Sequence, residues 1–202
     1  MIQKRVLVFG IGGTTLFIGW ACPPIPCIGG NAEVVAATGA IVLAHHKAAG
    51  KIPGMDRGVQ AGDVIKVGKH IELECLDTPG HTYCHICLCA HAEQPALFSG
   101  DTLFNAGAGN VHNGGDVEAL YSSFTKQLMR LPDNTRIFPG HDYIESNLKF
   151  TLAREPGNAA AAALLPTVAS HDPALSIVTT LKEEKEFNTF MRLSNPSVIA
   201  QL

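Results

Sequence analysis

Three short segments of the sequence place a histidine or an aspartate directly after an apolar strand and a turn of small residues. The segment TPGH ends at His81, FSGD ends at Asp101 and FPGH ends at His141. Imidazole nitrogens and carboxylate oxygens are ligands for zinc and iron, and one carboxylate can bridge two ions. Because the same pattern of strand, small-residue turn and potential ligand occurs three times, we interpret these residues as a candidate metal site. The alternative is three unrelated turns with polar residues.

Buried strands must position these three residues. The alternating pattern over 71–76 predicts one strand, HICLCA and ALFSGD predict two more, and TRIFPGHDY predicts a fourth. Pro79 and Gly80 set the backbone of the turn that presents His81 at a strand end. If the strands that precede the three residues run parallel in one sheet, their ends lie along one edge, where ligands usually bind.

Helices are predicted on either side of these strands. Residues 32–38 and the segment VEALYSSFTKQLMRLP have helical apolar spacing, and the second segment ends at Pro132. From IESNLKF onward the pattern is helical, including the alanine-rich stretch 159–165. The sequence therefore predicts an α/β fold with a helical region from about residue 145 onward.

The composition favours a globular protein that acts on a small molecule. The 202 residues are 46% hydrophobic and 16% charged, which supports a buried core and excludes disorder. The net charge of −3 excludes the basic surface that nucleic-acid binding requires. The six cysteines are not spaced like a disulfide framework, so we expect a reducing, cytoplasmic location, with a mitochondrial one as the alternative.

The first 28 residues differ in character from the rest. Two basic residues precede a mostly apolar run over 6–21, which is the layout of a signal peptide. The run is short and rich in glycine for a membrane span. A membrane anchor formed by residues 6–21 is nevertheless one alternative for the function of the chain.

From Gly29 to the C-terminus, several motifs follow one another in a characteristic order. They are GGNAEVVAATG, IPG, TPGHT, LFSGDTLFNAGAG, FPGHDYIESNLKF, EPGNAA and TTLKEEKEFNTFMR. In their order and spacing the sequence resembles the hydroxyacylglutathione hydrolase (glyoxalase II) family of the metallo-β-lactamase superfamily. The resemblance implies a metallo-β-lactamase-type αββα sandwich with a C-terminal helical region. It also implies hydrolysis of a thioester such as S-lactoylglutathione to a 2-hydroxy acid and a free thiol.

The resemblance implies roles for individual residues. His81 would bind a first metal ion, His141 a second, and Asp101 would bridge them. Zinc, or alternatively iron or manganese, would activate the water that attacks the thioester carbonyl. Tyr143 matches a tyrosine that contacts the thiol peptide, and Arg192 matches an arginine that holds its carboxylate.

Two positions of the expected thiol-binding site depart from the family. Asn110 and His112 stand where the family often has a lysine and an aromatic residue that help to hold glutathione. Loss of the lysine removes a positive partner for a glycine carboxylate. Another thiol conjugate is therefore an alternative to glutathione as the small-molecule partner.

The main metal-binding signature of the family, T-H-x-H-x-D-H-x-G-G, is not present in the sequence. Gly29 and Gly30 fit its end, and its four liganding positions then fall on Cys22, Pro24, Pro26 and Cys27. A proline side chain cannot bind a metal. With most of the first ligand shell replaced, hydrolysis by this chain is an open question.

Two explanations for this departure remain open. Either residues 1–28 are foreign to an otherwise normal hydrolase, or they are genuine and the chain is a truncated relative. In the second case the alternative function is an inactive remnant that binds a thiol ligand or a protein partner. We expect a divergent segment over 1–28, a metallo-β-lactamase-like domain over 29–144 and a helical substrate-binding region over 145–202.

The segment HTYCHICLCAH is a further concentration of potential ligands. Its three cysteines and three histidines could form a separate zinc site. The alternative, which we favour, is that Cys87 and Cys89 share one buried strand face, as free cysteines usually do. We expect His85 to brace the turn rather than to bind metal.

Overall fold

A computed structural model describes residues 8–10, 16–17, 31–67, 69–112, 114–172, 175 and 177–201. The expectations for Cys22 and Cys27 lie outside these residues. Of the apolar run suggested as a membrane anchor, the structure describes two short strands, over 8–10 and 16–17. In the part of the chain that the structure describes, no helix has the length and apolarity needed to cross a membrane.

The described residues form twelve β-strands and six α-helices. The strands are β1 (Val8–Gly10), β2 (Leu16–Phe17), β3 (Ala40–His45), β4 (Met55–Val59), β5 (Val64–Val67), β6 (Ile71–Asp77), β7 (Ile86–Ala90), β8 (Ala96–Gly100), β9 (Leu103–Phe104), β10 (Gly107–Ala108), β11 (Arg136–Pro139) and β12 (Thr179–Thr180). The helices are α1 (Asn31–Thr38), α2 (Val117–Lys126), α3 (Ile144–Arg154), α4 (Ala159–Ala169), α5 (Leu181–Phe187) and α6 (Pro196–Ile199). Short 3-10 helices cover His46–Ala48, Leu128–Arg130 and Thr189–Met191.

Two sheets share one buried core. The first sheet has the strand order β2-β1-β3-β4 and the second has the order β12-β11-β8-β7-β6-β5. Leu43 and Val59 of the first sheet pack in one buried cluster with Leu73 and Leu88 of the second. Burial of these apolar side chains between the two sheets stabilises the packing of one sheet on the other.

Helices cover the outer face of each sheet. On β3, Leu43 faces the second sheet while Val42 packs in a cluster with Val35 of α1. On β7, Leu88 joins the core between the sheets while Cys87 packs with residues of α2 and α5 on the opposite face. A strand that is covered on both faces needs apolar residues at successive positions, which explains why the segment ICLCA is apolar throughout. The predicted αββα arrangement is confirmed.

The strands that precede the three candidate ligands run in the same direction. β8 and β11 pair in parallel, and β6 runs in the same direction as β8 because the intervening β7 is antiparallel to both. Their ends therefore lie at one edge of the second sheet. The sequence suggested a common direction only as a condition, and nothing in it indicated that β7 separates β6 from β8.

The C-terminal helices pack against a small hairpin at this edge. β9 and β10 form the hairpin, and its turn residue Ala106 is buried in one cluster with Leu148 of α3, Ala161 of α4 and Phe187 of α5. The helical region predicted from about residue 145 is thus anchored beside the ends of the strands.

Candidate metal centre

Asp101 lies between the two histidines that the sequence singled out. Its Oδ2 atom is 3.7 Å from Nε2 of His81, and its Oδ1 atom is 3.5 Å from Nε2 of His141. The side chains of His81 and Asp101 are buried, and that of His141 is half-buried. The structure therefore brings together all three predicted ligands, with one carboxylate oxygen turned to each imidazole.

The orientation of His81 is fixed by a backbone carbonyl. Its Nδ1 atom lies 2.6 Å from the carbonyl oxygen of Asn110. Because a carbonyl can only accept, Nδ1 carries the proton and donates it. The Nε2 atom that faces Asp101 then has a lone pair in the neutral ring, which is the form that binds a metal.

His85 holds the backbone of Asp101 through a hydrogen bond. The backbone N–H of Asp101 donates to Nε2 of His85 at 3.2 Å, so the ring proton is on Nδ1, which lies 2.8 Å from Oγ1 of Thr102. Burial lowers the pKa of His85 to about 4, although the nearby charge of Asp101 opposes this shift. His85 is therefore neutral at physiological pH. Its Nδ1 atom also lies 3.1 Å from Oγ1 of Thr78 in the turn before His81, which agrees with the expected bracing of that turn.

Asp101 is held in its ionised form. Burial raises the pKa of this carboxyl, but the close approach and the charge of the His141 imidazole, with smaller contributions from the charges of His85 and His81, outweigh burial and lower it below its ordinary value. Oδ1 of Asp101 is buried and receives no hydrogen bond. An ionised oxygen without a donor, 3.5 Å from an imidazole, is suited to a cation.

Hydrogen bonds from helix α2 and the residue before it hold the turn that presents His81. The N–H of Asp116 donates to the carbonyl of Gly80 at 2.8 Å, and the hydroxyl of Ser123 donates to the carbonyl of Pro79 at 2.7 Å. Gly80 has φ +146°, and a Cβ there would lie 2.4 Å from the Cα atom of Leu120. Glycine is therefore required for the turn to approach the helix this closely.

Aromatic rings lie on the open side of the centre. The ring of Tyr143 stacks on that of His141 with a centroid distance of 5.4 Å, and the ring of Phe104 lies edge-on to Tyr143 at 5.2 Å. Tyr143 is 49% exposed. It is placed where a molecule approaching His141 from solvent would meet it.

The other predicted substrate residues do not all converge on this centre. Asn110 and His112 follow the hairpin and are exposed, and the side-chain oxygen of Asn110 accepts the N–H of His112. The structure pairs Arg192 with Glu155 rather than with the centre, through Nε and Nη2 at 2.9 and 2.6 Å. The hydrogen bonds from Arg192 lower the pKa of Glu155 to about 2.

Two of the cysteines near His81, Cys87 and Cys89, are core residues. Cys87 and Cys89 are buried in the core between the second sheet and the helices. Burial raises the pKa of Cys87 to about 12 and that of Cys89 to about 11, so both remain protonated thiols. The thiol of Cys87 donates to the carbonyl of Ser99 at 3.3 Å, and both side chains pack in the core, as expected.

His81, Asp101 and His141 do not converge on a single point. Within the described residues, no group of three or more His, Cys, Asp or Glu side chains is arranged to hold one metal ion. The candidate centre instead consists of two half-sites, one between Asp101 and His81 and one between Asp101 and His141.

Sequence reasoning missed a buried polar network next to the centre. Glu184 is fully buried, and burial raises its pKa to about 7 although hydrogen bonds from Thr179 and Asn188 oppose the shift. The signal was present in the spacing of α5. Glu184 lies midway between the buried residues Leu181 and Phe187, so it occupies the stripe where an apolar residue is expected.

Comparison with known protein families divides the chain near residue 142. Residues 28–141 match the metallo-beta-lactamase superfamily, and residues 142–202 match the hydroxyacylglutathione hydrolase C-terminus. The two matches meet between the last strand-end histidine and helix α3, so the first contains all three candidate ligands.

Curated proteins named hydroxyacylglutathione hydrolase are similar over most of the chain. The protein from Polaromonas sp. strain JS666 is 78% identical over 174 residues, which cover 86% of this chain and 66% of that protein. The one from Nitrosococcus oceani is 60% identical over 174 residues, with the same coverage of 86% and 66%. The one from Rhodopseudomonas palustris strain HaA2 is 42% identical over 177 residues, which cover 87% and 68%. The chain spans about two thirds of the length of these relatives.

Solved structures agree on the fold. ETHE1 from Myxococcus xanthus has a TM-score of 0.59 and 27% identity, over 86% of this chain and 61% of that one. A metallo-beta-lactamase from Staphylococcus aureus subsp. aureus COL has a TM-score of 0.58 and 23% identity, over 85% of this chain and 46% of that one. The two-sheet core with outer helices is thus the fold of the superfamily.

Proposed function

Since the chain belongs to the hydroxyacylglutathione hydrolase family of the metallo-β-lactamase superfamily, we propose that it is a metal-dependent thioester hydrolase. It would hydrolyse an S-2-hydroxyacylglutathione, such as S-lactoylglutathione, to a 2-hydroxy acid and a free thiol. The observation that carries the proposal is the position of Asp101 between His81 and His141, with a separate oxygen turned to each ring.

The residues present fit divalent cations. Two imidazole nitrogens and one carboxylate are a donor set that zinc and iron accept, and the buried Oδ1 atom of Asp101 receives no hydrogen bond. Members of the superfamily depend on metal ions, and we propose zinc, with iron or manganese as alternatives. His81 and Asp101 would hold one ion, and His141 and Asp101 would hold a second.

The protein's own residues prepare this chemistry. When bound, the metal supplies Lewis acidity and lowers the pKa of water, which is the nucleophile that a thioester requires. Asp101 remains ionised because its pKa lies below the ordinary value. Asn110 keeps the proton of His81 on Nδ1, and His85 holds the backbone of Asp101. A thiolate leaves readily, so the residues around the centre need not supply a strong acid.

The thiol part of the substrate would lie along the exposed side of the centre. We propose that Tyr143, Asn110 and His112 contact it there, and that residues 145–202 form the substrate-binding region. Arg192 would meet a substrate carboxylate only by sharing its guanidinium with Glu155, because two of its nitrogens already donate to that residue. With neutral Asn110 in place of a lysine, a related thiol conjugate is the alternative to glutathione.

We propose a reducing compartment, such as the cytoplasm, for this protein. Cys75, Cys84, Cys87 and Cys89 are free thiols in the structure. Cys75 packs in the core between the sheets, whereas Cys87 and Cys89 pack on the opposite face of the second sheet. These features support an environment that keeps thiols reduced.

The direct test combines metal binding with thioester turnover. The purified protein is melted with and without added zinc, and hydrolysis of S-lactoylglutathione is followed as loss of the thioester. We expect zinc to raise the melting temperature and to support turnover, and Asp101→Asn to abolish both effects. Asp133→Asn is the matched control, because Asp133 is an exposed partner of Lys185.

The outcomes separate the proposed hydrolase from its alternative. Zinc-dependent turnover that Asp101→Asn removes would support the hydrolase. Binding of the thiol conjugate without hydrolysis, at every metal tried, would overturn it. That result would favour the inactive remnant, since Pro24 and Pro26 replace two family ligands in the sequence.

A further inference from the structure

The hairpin of β9 and β10 contacts the whole candidate centre. Asp101 lies two residues before β9, and the carbonyl of Asn110, two residues after β10, accepts the proton of His81 at 2.6 Å. The ring of Phe104 in β9 lies 6.1 Å from that of His141. The hairpin is therefore linked to each of the three candidate ligands, most directly to His81 through the carbonyl of Asn110.

The turn of the hairpin has an unfavourable backbone conformation. Strands β9 and β10 leave only Asn105 and Ala106 to make the turn. Ala106 has φ +58°, in the left-handed region that a residue with a Cβ rarely adopts. Such a conformation persists only where surrounding contacts hold it, and here the N–H of Ala106 donates to both carboxylate oxygens of Glu184, at 2.9 and 3.2 Å.

Three donors converge on the Glu184 carboxylate. In addition to the backbone of Ala106, the hydroxyl of Thr179 lies 2.6 Å from Oε1 and the amide nitrogen of Asn188 lies 2.8 Å from Oε2. The same amide nitrogen donates to the carbonyl of Gly107 at 3.0 Å. Glu184 is therefore joined to the hairpin both directly and through Asn188.

A second connection reaches the turn through Asn105. Its amide nitrogen donates to the hydroxyl of Thr179 at 2.7 Å, so the single hydroxyl proton of Thr179 is directed to Glu184. The amide nitrogen of Asn147 in α3 donates to the carbonyl of Asn105 at 2.9 Å. The polar groups of the turn are thus held by side chains of the C-terminal region.

We propose that Glu184 is a positioning residue of the candidate metal centre, whose carboxylate holds the Asn105–Ala106 turn so that the hairpin places Asn110 against His81. The role in turnover rests on the proposed hydrolase function, but the effect on His81 does not. Above its pKa of about 7 the ionised side chain of Glu184 is an acceptor-only group, which satisfies all three donors. A glutamine of the same shape would present its own N–H groups to one of these donors.

The test is Glu184→Gln in the full chain, with Glu186→Gln as the matched control. Glu186 lies on the same helix and is exposed. The readout is the NMR signal of the Nδ1 proton of His81, identified by its loss in His81→Gln. We expect Glu184→Gln to broaden this signal or shift it upfield, because its hydrogen bond to Asn110 lengthens, and Glu186→Gln to leave it unchanged.

Turnover provides a second readout that is independent of the first. With zinc added, we expect Glu184→Gln to lower kcat about tenfold while KM changes less than twofold, because the change disturbs the centre and not the substrate contacts. If the wild-type protein hydrolyses no thioester, the proposed function fails. The His81 signal then still decides whether Glu184 positions the hairpin.

A second variant covers the case in which Glu184→Gln does not fold. Thr179→Val removes the hydroxyl that donates to Glu184 and accepts from Asn105, at nearly constant volume. We expect it to shift the His81 signal in the same direction by a smaller amount. A folded Glu184→Gln, or failing that a folded Thr179→Val, with the His81 signal at its wild-type position would overturn the proposal.

Discussion

Gly109 packs against two residues of the candidate metal centre. A Cβ at this position would lie 1.8 Å from the carbonyl oxygen of Asp101 and 3.2 Å from Nδ1 of His81. We expect Gly109→Ala to push both residues away from each other. The cost is that of overpacking, about 1–3 kcal/mol in the free energy of unfolding, measured by urea denaturation. The zinc-dependent rise in melting temperature should also be lost.

Gly157 offers a matched control for this prediction. A Cβ there would meet no atom within 4 Å. We expect Gly157→Ala to change the free energy of unfolding by less than about 1 kcal/mol and to leave the zinc effect intact. Equal effects of the two substitutions would show that the close approach at Gly109 does not matter.

The sequence revealed the candidate ligands but not the residues that hold them. His81, Asp101 and His141 each follow a strand and a small-residue turn, so a local pattern was enough to select them. Their role as metal ligands stays a prediction. Glu184 was missed despite the signal in the spacing of α5, because its neighbours Glu183 and Lys185 make it look like one more charged residue of a solvated helix. Its burial depends on contacts with a hairpin almost 80 positions away in the sequence.

At the scale of elements, hydrogen bonds join α2 to the turn before His81, and the one from Ser123 can be tested by a single substitution. The hydroxyl of Ser123 donates to the carbonyl of Pro79 at 2.7 Å. Ser123→Ala would leave this half-buried carbonyl without its donor, at a cost of about 1–3 kcal/mol. We expect a lower free energy of unfolding in urea and weaker zinc binding. Ser122→Ala, at the preceding residue of the helix, should change the free energy of unfolding and zinc binding little.

A second contact between elements makes stability depend on pH. Glu155, which follows α3, accepts hydrogen bonds from Arg192 and from Ser197 of α6. The hydrogen bonds from Arg192 are the main reason that its pKa falls from 4.5 to about 2. A carboxyl whose pKa is lower in the folded state contributes stability above its unfolded pKa and loses it as the pH falls toward the folded value.

We therefore expect the free energy of unfolding to fall between about pH 4.5 and pH 2 in the wild-type protein. In Glu155→Gln this part of the fall should be missing, and the protein should be less stable at neutral pH. Glu145→Gln is the control, because Glu145 is half-exposed and pairs with Lys149. Curves for wild type and Glu155→Gln that run parallel throughout this range would contradict the prediction.

The strands themselves were largely predictable, because a covered strand needs an apolar run and a turn needs glycine or proline. The segments before His81, Asp101 and His141 are strands β6, β8 and β11, as expected. The pairing order was not predictable from these patterns. Nothing local in ICLCA distinguishes a strand that lies between β6 and β8 from one at the edge, since hydrogen-bond partners are set by the whole sheet.

At the scale of the whole molecule, the two sheets depend on each other for burial. Leu73 of β6 is fully buried in the cluster that it shares with Leu43 and Val59 of the first sheet. The edge that carries the candidate ligands belongs to the second sheet. Weaker packing between the sheets should therefore also disturb the candidate metal centre, because β6 ends at the turn before His81.

Leu73→Ala tests this dependence. Removing a fully buried leucine from a shared core costs about 2–5 kcal/mol, because the cavity closes only partly. We expect a lower free energy of unfolding by that amount and a lower melting temperature with and without zinc. Ile71→Ala is the matched control, because Ile71 lies on the same strand with 51% of its surface exposed. A cost above about 1 kcal/mol for Ile71→Ala, or below it for Leu73→Ala, would mean that the shared core does not hold the sheets together.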